Sequence, residues 1–362
     1  MALFSPKESY LGVDIGTASI KIVELAPLGG KPKLVTYGYI DIASDIVHSR
    51  SAQTQQIIAV SLKKLLQKAK VGTSAALAAL PTFSVFNSII SLPPMSAKDL
   101  GSAVKWEAKK YVPMPLEEMI LDWKLIDGAA ASAAAKNSPK ITPAAAKPKD
   151  LRILVTAAPK TLVNRYLEIF RAAGLKLMSL ETEAFALARS LIGADKSTVL
   201  VVDIGSITTD ICIIENSLPI LNRSIDVGGL IITKAIAASL NINLDRAEQF
   251  KRDYGLSLSA QDAQKGINKT IATSLSPIIN EIKYVFDLYQ NQENRPVEKM
   301  ILSGGSAFLP NLAQYFQQLF NKPVFIGNPW DKVIYPTELK PVLDEVGSRL
   351  AVAIGLAMRD IK

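Results

Sequence analysis

The chain has 362 residues, of which 49% are hydrophobic and 20% are charged, and its formal net charge at pH 7 is +8. This composition is typical of a globular protein with room for two domains, and it excludes an intrinsically disordered chain. A single cysteine, Cys212, excludes an intramolecular disulfide, and a single histidine, His48, excludes a histidine-based zinc site or a Ser-His triad within the chain.

Every long apolar run is interrupted by a charge, a proline or several polar residues, and the first residues lack the apolar stretch of a secretory signal. We therefore predict a soluble cytosolic protein. The positive charge would suit an anionic partner. However, the basic residues are dispersed and no RNA- or DNA-binding signature is present, so nucleic acid is not an expected partner.

Apolar periodicity and turn residues predict an α/β chain. Three strands are predicted within residues 10–41, and further strands at 75–80, 84–92, 119–126, 151–157, 175–180, 198–202, 209–215, 218–226 and 300–302. Helices are predicted at 51–70, 96–110, 160–173, 182–192 and 344–358, over most of 230–292, and from Leu309 onward. Residues 128–150 are rich in Ala, Pro and Lys, which predicts a flexible loop at the tip of a long hairpin.

A near-repeat occurs in the two halves of the chain, VDIGT at 13–17 and VDIGS at 202–206. Each copy lies between two apolar runs, which predicts a strand, a tight turn and a second strand. Glycine lets backbone amides approach a phosphate, and Asp14 and Asp203 are each suited to hold a hydrated Mg²⁺. Two unrelated hairpins with acidic turns would give the same pattern. The matched strand context favours a nucleotide cleft between two similar halves.

Two further motifs extend this prediction. Lys21 lies on the strand after the first turn and points away from its apolar neighbours, so its ammonium can either reach a phosphate or face solvent. Residues 299–307, KMILSGGSA, predict a buried strand that leads through Gly304 and Gly305 into a helix. An adenine or an α-phosphate could lie against that exposed backbone.

Glu248 and Lys251 are three residues apart on a predicted helix, so both side chains can reach one point, such as the hydroxyls of a ribose. An ordinary surface ion pair explains the same spacing nearly as well. Only the combination with the other motifs favours a role in binding.

This set of motifs resembles the actin-like ATPase superfamily, with LGVDIGTASIK as phosphate-1 motif, VVDIGSITTD as phosphate-2 motif, ILSGGSAFLP as adenosine motif, and a second connecting helix near 344–358. Within the superfamily, the chain most resembles the PilM family of type IV pilus assembly proteins, which are relatives of the division protein FtsA. The segments that carry this closer resemblance are WEAKKYVPMPLEEMILDW, LETEAFALARSL and AEQFKRDYG.

The resemblance implies an α/β, actin-like (ribonuclease H-like) duplicated fold, with two domains around a nucleotide cleft and an FtsA-like inserted subdomain. The implied parts are core subdomain 1A at 1–80, inserted subdomain 1C at 81–157, a return to 1A at 158–196, subdomain 2A at 197–240, helical subdomain 2B at 241–297, a return to 2A at 298–343 and a connecting helix at 344–362.

The resemblance also implies ATP and Mg²⁺ as cofactors, with Asp14 and Asp203 positioning the Mg²⁺. The implied nucleotide-binding residues are Gly16, Thr17, Lys21, Gly205, Ser206, Thr208, Glu248, Lys251, Gly304, Gly305 and Ser306. In active relatives, an acid or amide in the first connecting segment orients the attacking water. Glu181 matches that position best, with Glu183 as its neighbour. The resemblance leaves open whether ATP is hydrolysed slowly or only bound.

For partners, the resemblance implies a cytoplasmic scaffold, peripheral on the inner-membrane face, that binds the short cytoplasmic N-terminal peptide of PilN and through it meets PilO and PilP. The implied peptide groove lies between the inserted subdomain and the first core subdomain. Contacts with pilus motor components and self-association are left open. Trp106, Tyr111 and Trp123 are predicted to pack in the core of the inserted subdomain.

Two alternatives remain. An FtsA-like filament-forming cell-division ATPase would carry a C-terminal amphipathic membrane helix, whereas this chain ends at Lys362 directly after the last predicted core helix. A sugar-kinase-type phosphotransferase would need a catalytic aspartate aimed at a substrate hydroxyl, and the sequence offers no convincing candidate.

Overall fold

The computed structural model describes residues 8–42, 51–127, 150–256, 262–293 and 295–361. The chain forms two compact units. The larger unit comprises Met1–Phe83 and Arg165–Lys362, and the smaller unit comprises Ser84–Asn164. The predicted loop at 128–150 lies almost entirely outside the described residues.

The described strands are β1 Tyr10–Ile15, β2 Ser19–Leu28, β3 Lys31–Asp41, β4 Ala75–Leu80, β5 Phe86–Leu92, β6 Met119–Asp127, β7 Leu151–Pro159, β8 Lys176–Thr182, β9 Val199–Ile204, β10 Thr209–Glu215, β11 Leu218–Ile225, β12 Lys299–Ser303 and β13 Val324–Ile326. The described α-helices are α1 Ala52–Lys68, α2 Ala97–Ala108, α3 Lys160–Ala173, α4 Glu183–Leu187, α5 Gly229–Leu240, α6 Leu244–Tyr254, α7 Asp262–Ser274, α8 Ser276–Glu293, α9 Leu312–Phe320, α10 Lys340–Val346 and α11 Ala351–Ala357.

The larger unit contains two five-stranded sheets with the same topology. Their strand orders are β3-β2-β1-β4-β8 and β11-β10-β9-β12-β13. In each sheet, three antiparallel strands that are consecutive in the chain are followed by two strands that run parallel to the first of them. The duplication predicted from the two VDIG segments is therefore present in the fold, because the segments form the ends of β1 and β9.

The two VDIG hairpins close in the same way. The amide of Gly16 donates to the carbonyl of Ser19 at 3.0 Å, and the amide of Gly205 donates to the carbonyl of Thr208 at 2.9 Å. Asp14 pairs with Lys21 across the first hairpin, and Asp203 pairs with Asp210 across the second. Equivalent acidic residues thus end the first strand of both hairpins.

The smaller unit is a three-stranded antiparallel sheet, in the order β5-β7-β6, with α2 packed on it. Its core includes Val104 of α2 and Ile153 of β7, and Trp123 packs against this core as predicted. The prediction was wrong for the other two aromatics, since Trp106 is 73% exposed and Tyr111 is 51% exposed. On α2 the core-facing positions are taken by Leu100, Val104 and Ala108, so Trp106 lies on another face of the helix.

The last predicted helix, at 344–358, is broken. The chain forms α10, then a 3₁₀ turn at Gly347–Leu350, and then α11. At the break, Gly347 lies against the buried ring of Trp330. A Cβ added to Gly347 would stand only 2.7 Å from Trp330 Nε1, so a side chain does not fit here. Trp330 Nε1 donates to the carbonyl of Leu343 at 2.8 Å, which holds the indole against the end of α10. Apolar periodicity alone does not reveal this tertiary contact.

The fully buried helix α11 meets β1 and α4 through its backbone as well as through its side chains. A Cβ on Gly12 of β1 would stand 1.9 Å from the carbonyl oxygen of Ala353, and a Cβ on Gly355 would stand 2.0 Å from the carbonyl oxygen of Ala186 in α4. Residues of both sheets, α4 and α11 share one apolar cluster around this contact. The two halves of the larger unit are thus joined where no side chain fits.

We predict that Gly355→Ala destabilises the protein by about 1–3 kcal/mol or more, because an overpacked core must shift its backbone to make room. The matched control is Gly266→Ala on α7, where an added Cβ meets nothing within 4 Å and alanine favours the helix. Urea unfolding of both variants measures the difference. Equal stability of Gly355→Ala and the wild type would contradict the close packing of α11 on α4.

Candidate functional site

A cleft of about 790 Å³ lies in the larger unit. All of the residues predicted for nucleotide and metal binding line it. They are Asp14, Gly16, Thr17, Lys21, Asp203, Gly205, Ser206, Thr208, Glu248, Lys251, Gly304, Gly305 and Ser306. Glu181 does not line the cleft, whereas its neighbour Glu183 does.

Lys21 turns toward Asp14 rather than toward solvent. Its Nζ lies 2.8 Å from Asp14 Oδ2, and the side chains of Lys21 and Asp14 are only 14% and 6% exposed. The pairing of β1 with β2 places both residues at the same level of the hairpin. Of the two alternatives from the sequence, the solvent-facing lysine is therefore wrong.

The second VDIG turn is tied to the start of α5. The amides of Gly229 and Leu230 donate to the carbonyls of Gly205 and Ser206 at 2.9 and 2.8 Å. A Cβ on Gly228 would stand 2.6 Å from the backbone of Ser206, so the chain can pass here only without a side chain. This contact fixes the position of the second VDIG turn relative to the start of α5.

The turn after β12 requires a glycine because of its backbone conformation. Gly304 has φ of +84°, and a Cβ there would stand 2.4 Å from the carbonyl oxygen of Ile204. The backbone of this turn consequently lies directly against the end of β9. The predicted helix begins later than expected, at Leu312, after a 3₁₀ turn at Gly305–Phe308.

Glu248 and Lys251 form the ion pair that their spacing predicts, at 2.6 Å. The pair is not an ordinary surface pair, because Lys251 is 8% exposed and also donates to Thr233 Oγ1 and to the carbonyl of Gly229. Burial lowers the pKa of Lys251, an effect that the Glu248 carboxylate opposes. Burial alone would raise the pKa of Glu248, but hydrogen bonds from Lys251 and Thr233 keep that pKa below its ordinary value.

Glu181 has a structural role in this fold. Its two carboxylate oxygens accept hydrogen bonds from Arg189 at 2.7 and 3.0 Å, and Arg189 also donates to the carbonyl of Gly355 at 2.6 Å. Glu181 therefore connects β8 with the end of α11. The expectation that Glu181 lies nearest to the attacking water is not met by its position.

Glu183 occupies the position expected for Glu181, because β8 ends at Thr182 and Glu183 begins α4. The change from strand to helix turns the side chain of Glu183 into the cleft. Its Oε2 accepts hydrogen bonds from the amide and the hydroxyl of Thr82 at 3.0 and 2.9 Å. Within the described residues, Oε1 receives no hydrogen bond. The signal in the sequence was an acid in the first turn of the helix predicted at 182–192.

Among the acids that line the cleft, four influence one another electrostatically, namely Asp14, Glu183, Asp203 and Asp210. Burial raises the pKa of Asp203 to about 6 and that of Asp210 to about 7, and the neighbouring carboxylates add to both shifts. Burial, together with Asp210 and Asp14, also raises the pKa of Glu183 well above its ordinary value. The cleft is thus an acidic site that favours protons or other cations.

The acids of the cleft suit Mg²⁺ only in company with phosphate oxygens. In the described parts of the chain, no three His, Cys, Asp or Glu side chains converge closely enough to hold a metal ion by themselves. Mg²⁺ normally takes one or two carboxylates and completes its shell with water and phosphate. Asp210 Oδ1 is buried without a hydrogen-bond donor, as is expected beside a site for a hydrated cation. The donor set therefore fits Mg²⁺ bound with a nucleotide.

Several residues that line the cleft carried no signal in the sequence. Arg349 donates to Asp41 at 2.6 Å and lies over the ring of Tyr39 at 4.3 Å, although more than three hundred residues separate the partners of the ion pair. Phe308 lies within the adenosine-type motif and remains 41% exposed in the cleft wall. An exposed aromatic ring in this place offers a base a surface for stacking.

We predict that Asp210→Asn stabilises the protein, free of metal and nucleotide, at pH 8 by on the order of 1–3 kcal/mol. The folded state keeps a proton on Asp210 up to about pH 7, whereas an unfolded aspartate loses it near pH 4. Stability of the wild type therefore falls as pH rises through this window, and the variant loses part of that slope.

Thermal unfolding in chelator between pH 4 and pH 8 measures this effect. The control is Asp253→Asn, an exposed acid on α6, which should leave the pH profile unchanged. Parallel profiles for the wild type and Asp210→Asn would contradict the raised pKa.

The profile of the family described as "Type IV pilus assembly protein PilM" matches residues 12–361. Among curated proteins, the cell division protein FtsA of Neisseria meningitidis serogroup B (strain ATCC BAA-335 / MC58) is 26% identical over 229 residues, which are 57% of this chain and 54% of the relative. The chain thus spans about half the length of this relative. FtsA of Enterococcus faecalis (strain ATCC 700802 / V583) is 21% identical over 88% of this chain and 78% of the relative.

Among solved structures, a PilM-PilN type IV pilus biogenesis complex matches with a TM-score of 0.82 and 26% identity, covering 99% of this chain and 100% of that chain. MreB5 of Spiroplasma citri bound to AMPPNP matches with a TM-score of 0.52 and 15% identity over 97% of this chain and 95% of that chain, which shows a shared fold. None of the helices in the described parts of the chain is both long enough and apolar enough to cross a bilayer. Because the family profile covers nearly the whole chain and the duplicated fold agrees with it, this chain belongs to the type IV pilus assembly protein PilM family of the actin-like ATPase superfamily.

Proposed function

We propose that this protein binds ATP with Mg²⁺ in its cleft and acts as a cytoplasmic scaffold of the inner-membrane assembly complex of the type IV pilus. The observation that carries the nucleotide part is the convergence of two VDIG turns and the Gly304 turn on one acidic cleft. The family match supports the pilus part. It favours this role over the FtsA-like cell-division ATPase and the sugar-kinase-type phosphotransferase.

The two VDIG turns would bind the phosphates. Both turns carry hydroxyl groups into the cleft, at Thr17 in the first and at Ser206 and Thr208 in the second. Lys21 would exchange its contact with Asp14 for one with a phosphate oxygen, because its ammonium already faces the cleft. Backbone amides near Gly16 and Gly205 would complete the set of donors.

The opposite wall would bind the nucleoside. The backbone at Gly304, Gly305 and Ser306 leaves a surface with few side chains, against which the base or α-phosphate can lie. Glu248 and Lys251 would contact the ribose hydroxyls, since their ion pair is already fixed in this wall. The pair thus acts as a preformed polar contact.

Asp14 and Asp203 would hold the Mg²⁺, as the first acids of the two hairpins. When bound, the metal supplies positive charge that offsets the charge on the phosphates. Glu183 replaces Glu181 as the group that would orient an attacking water, because its Oε2 is fixed by Thr82 while Oε1 remains available. Any ATP hydrolysis by this protein would depend on Glu183.

We predict that Asp203→Asn weakens binding of Mg-ATP at least about tenfold, because it removes one of the two carboxylates that hold the metal.

Glu183→Gln should bind Mg-ATP within about threefold of the wild type but release phosphate about 100-fold more slowly. Isothermal titration calorimetry measures the binding, and phosphate release over several hours measures turnover.

Glu181→Gln is the matched control, since it makes the same isosteric change two residues away. It should retain turnover and lower the thermal stability, because it weakens the contact with Arg189. Loss of turnover in Glu181→Gln but not in Glu183→Gln would reverse the two assignments. Unchanged Mg-ATP affinity in Asp203→Asn would contradict the proposed metal position.

The partner proposal rests on family membership and on the matched complex. The solved structure with a TM-score of 0.82 contains PilM together with PilN. We therefore propose that this protein binds the cytoplasmic N-terminal peptide of PilN, and that PilO and PilP are reached indirectly through PilN. Nucleotide binding in the cleft would then alter the conformation of the protein to which the PilN peptide binds.

We predict that a synthetic peptide of the cytoplasmic N-terminus of PilN from the same organism binds the purified protein. Fluorescence anisotropy with and without Mg-ATP measures the affinity, because a labelled peptide tumbles more slowly once bound. A scrambled peptide of the same composition is the control. Equal affinity for the scrambled peptide, or no binding in either nucleotide state, would count against the scaffold role.

A further inference from the structure

The smaller unit exposes an aromatic side chain that its core does not use. Trp106 on α2 is 73% exposed, the highest fraction among the large hydrophobic side chains of the described residues. Tyr111 and Met114 follow within the next eight residues and are 51% and 39% exposed. A single exposed apolar side chain is ordinary on a protein surface. The charges around Trp106 therefore decide what this surface can bind.

Three lysines accompany Trp106 on the same side of α2. Lys98, Lys105 and Lys109 are spaced by seven and four residues, which places them in one row along the helix. All three are exposed, and among the described residues none of them forms an ion pair. Trp106 flanks this row. We call Lys98, Lys105, Trp106 and Lys109 the basic face of α2.

The acids of α2 do not neutralise this face. Glu107 lies on the opposite side of the helix and is paired with Lys110 at 2.8 Å. Asp99 lies nearest to the face, and its Oδ2 accepts a hydrogen bond from Ser96 at 2.6 Å. The core side of the helix is apolar, with Leu100, Val104 and Ala108 buried. Three lysines against one nearby acid, Asp99, leave this side of the helix with a net positive charge beside an exposed indole.

We propose that the basic face of α2 binds the anionic headgroups of a lipid bilayer. Flexible lysine side chains can adjust their ammonium groups to the positions of mobile lipid headgroups. An indole ring is typically placed at the boundary between the headgroups and the acyl chains. The face has no arginine, whose planar fork would instead match the fixed carboxylates of an acidic peptide. This lipid contact is independent of the PilN peptide and of ATP.

Vesicles test the proposal directly. The full chain should cosediment with vesicles that contain phosphatidylglycerol and not with pure phosphatidylcholine, and added salt should weaken the binding. Tryptophan fluorescence should shift to the blue on binding, since Trp106 is the exposed tryptophan whereas Trp123 packs on the core and Trp330 is 1% exposed. Trp106→Phe should abolish this shift.

Charge reversal gives the quantitative test. The double variant Lys105→Glu, Lys109→Glu should bind the anionic vesicles at least about 25-fold more weakly, because each lysine near an anionic surface contributes about fivefold. The matched control is Lys63→Glu, Lys64→Glu on α1, which changes the net charge equally at two exposed lysines of the larger unit. The control should bind the vesicles within a few-fold of the wild type, since only the total charge has changed.

Three outcomes would overturn the proposal. One is equal binding of the wild type to both vesicle types, and another is equal loss of vesicle binding in the two charge-reversed variants. The third is a Trp106→Ala variant that loses the PilN peptide but keeps the vesicles, since the surface would then dock a protein. Retained peptide binding in Trp106→Ala, with weakened vesicle binding, supports the lipid contact separately from the proposed scaffold function.

Discussion

The constraint on which the candidate site depends is the burial of several carboxylates close together in one cleft. Asp14, Asp203, Asp210 and Glu183 come from three separate segments of the chain, and burial together with repulsion from neighbouring carboxylates raises the pKa of Asp203, Asp210 and Glu183. A cationic counter-charge relieves that repulsion. Lys21 already supplies one, and a nucleotide-bound metal would supply more. Binding of a cation is therefore electrostatically favourable in this cleft.

The duplicated topology explains how separate segments meet at this point. Each half ends the first strand of an antiparallel trio at an aspartate, and parallel strands from the same half support it from the other side. Glycine at the turns, which has no side chain, leaves room for the ends of β1 and β9 to line the same cleft. The Gly304 turn lies directly on the end of β9 for the same reason. The glycines of the turns and the duplicated topology therefore together determine where Asp14 and Asp203 lie.

The sequence predicted what depends on local pattern and missed what depends on tertiary contact. Strand order within the hairpins and the residues of the VDIG turns follow from short-range periodicity, and the structure contains them. The choice between Glu181 and Glu183 depends on where a strand becomes a helix, a boundary that pattern locates only within a few residues. The break before α11 depends on the ring of Trp330, and the exposure of Trp106 depends on which helix face meets the sheet.

The contact between Gly355 and Ala186 has a mechanical meaning as well. At this contact the backbones of α4 and α11 approach each other closely, and side chains of both helices, among them Leu187 and Leu356, pack in one apolar cluster around it. Here Arg189 reaches from Glu181 to the carbonyl of Gly355 and so spans that contact. Glu181 is thus better understood as part of the link between β8 and α11 than as part of the chemistry in the cleft. Since α4 and α11 share one apolar cluster with strands of both sheets, any change in the separation of the two halves has to repack that cluster.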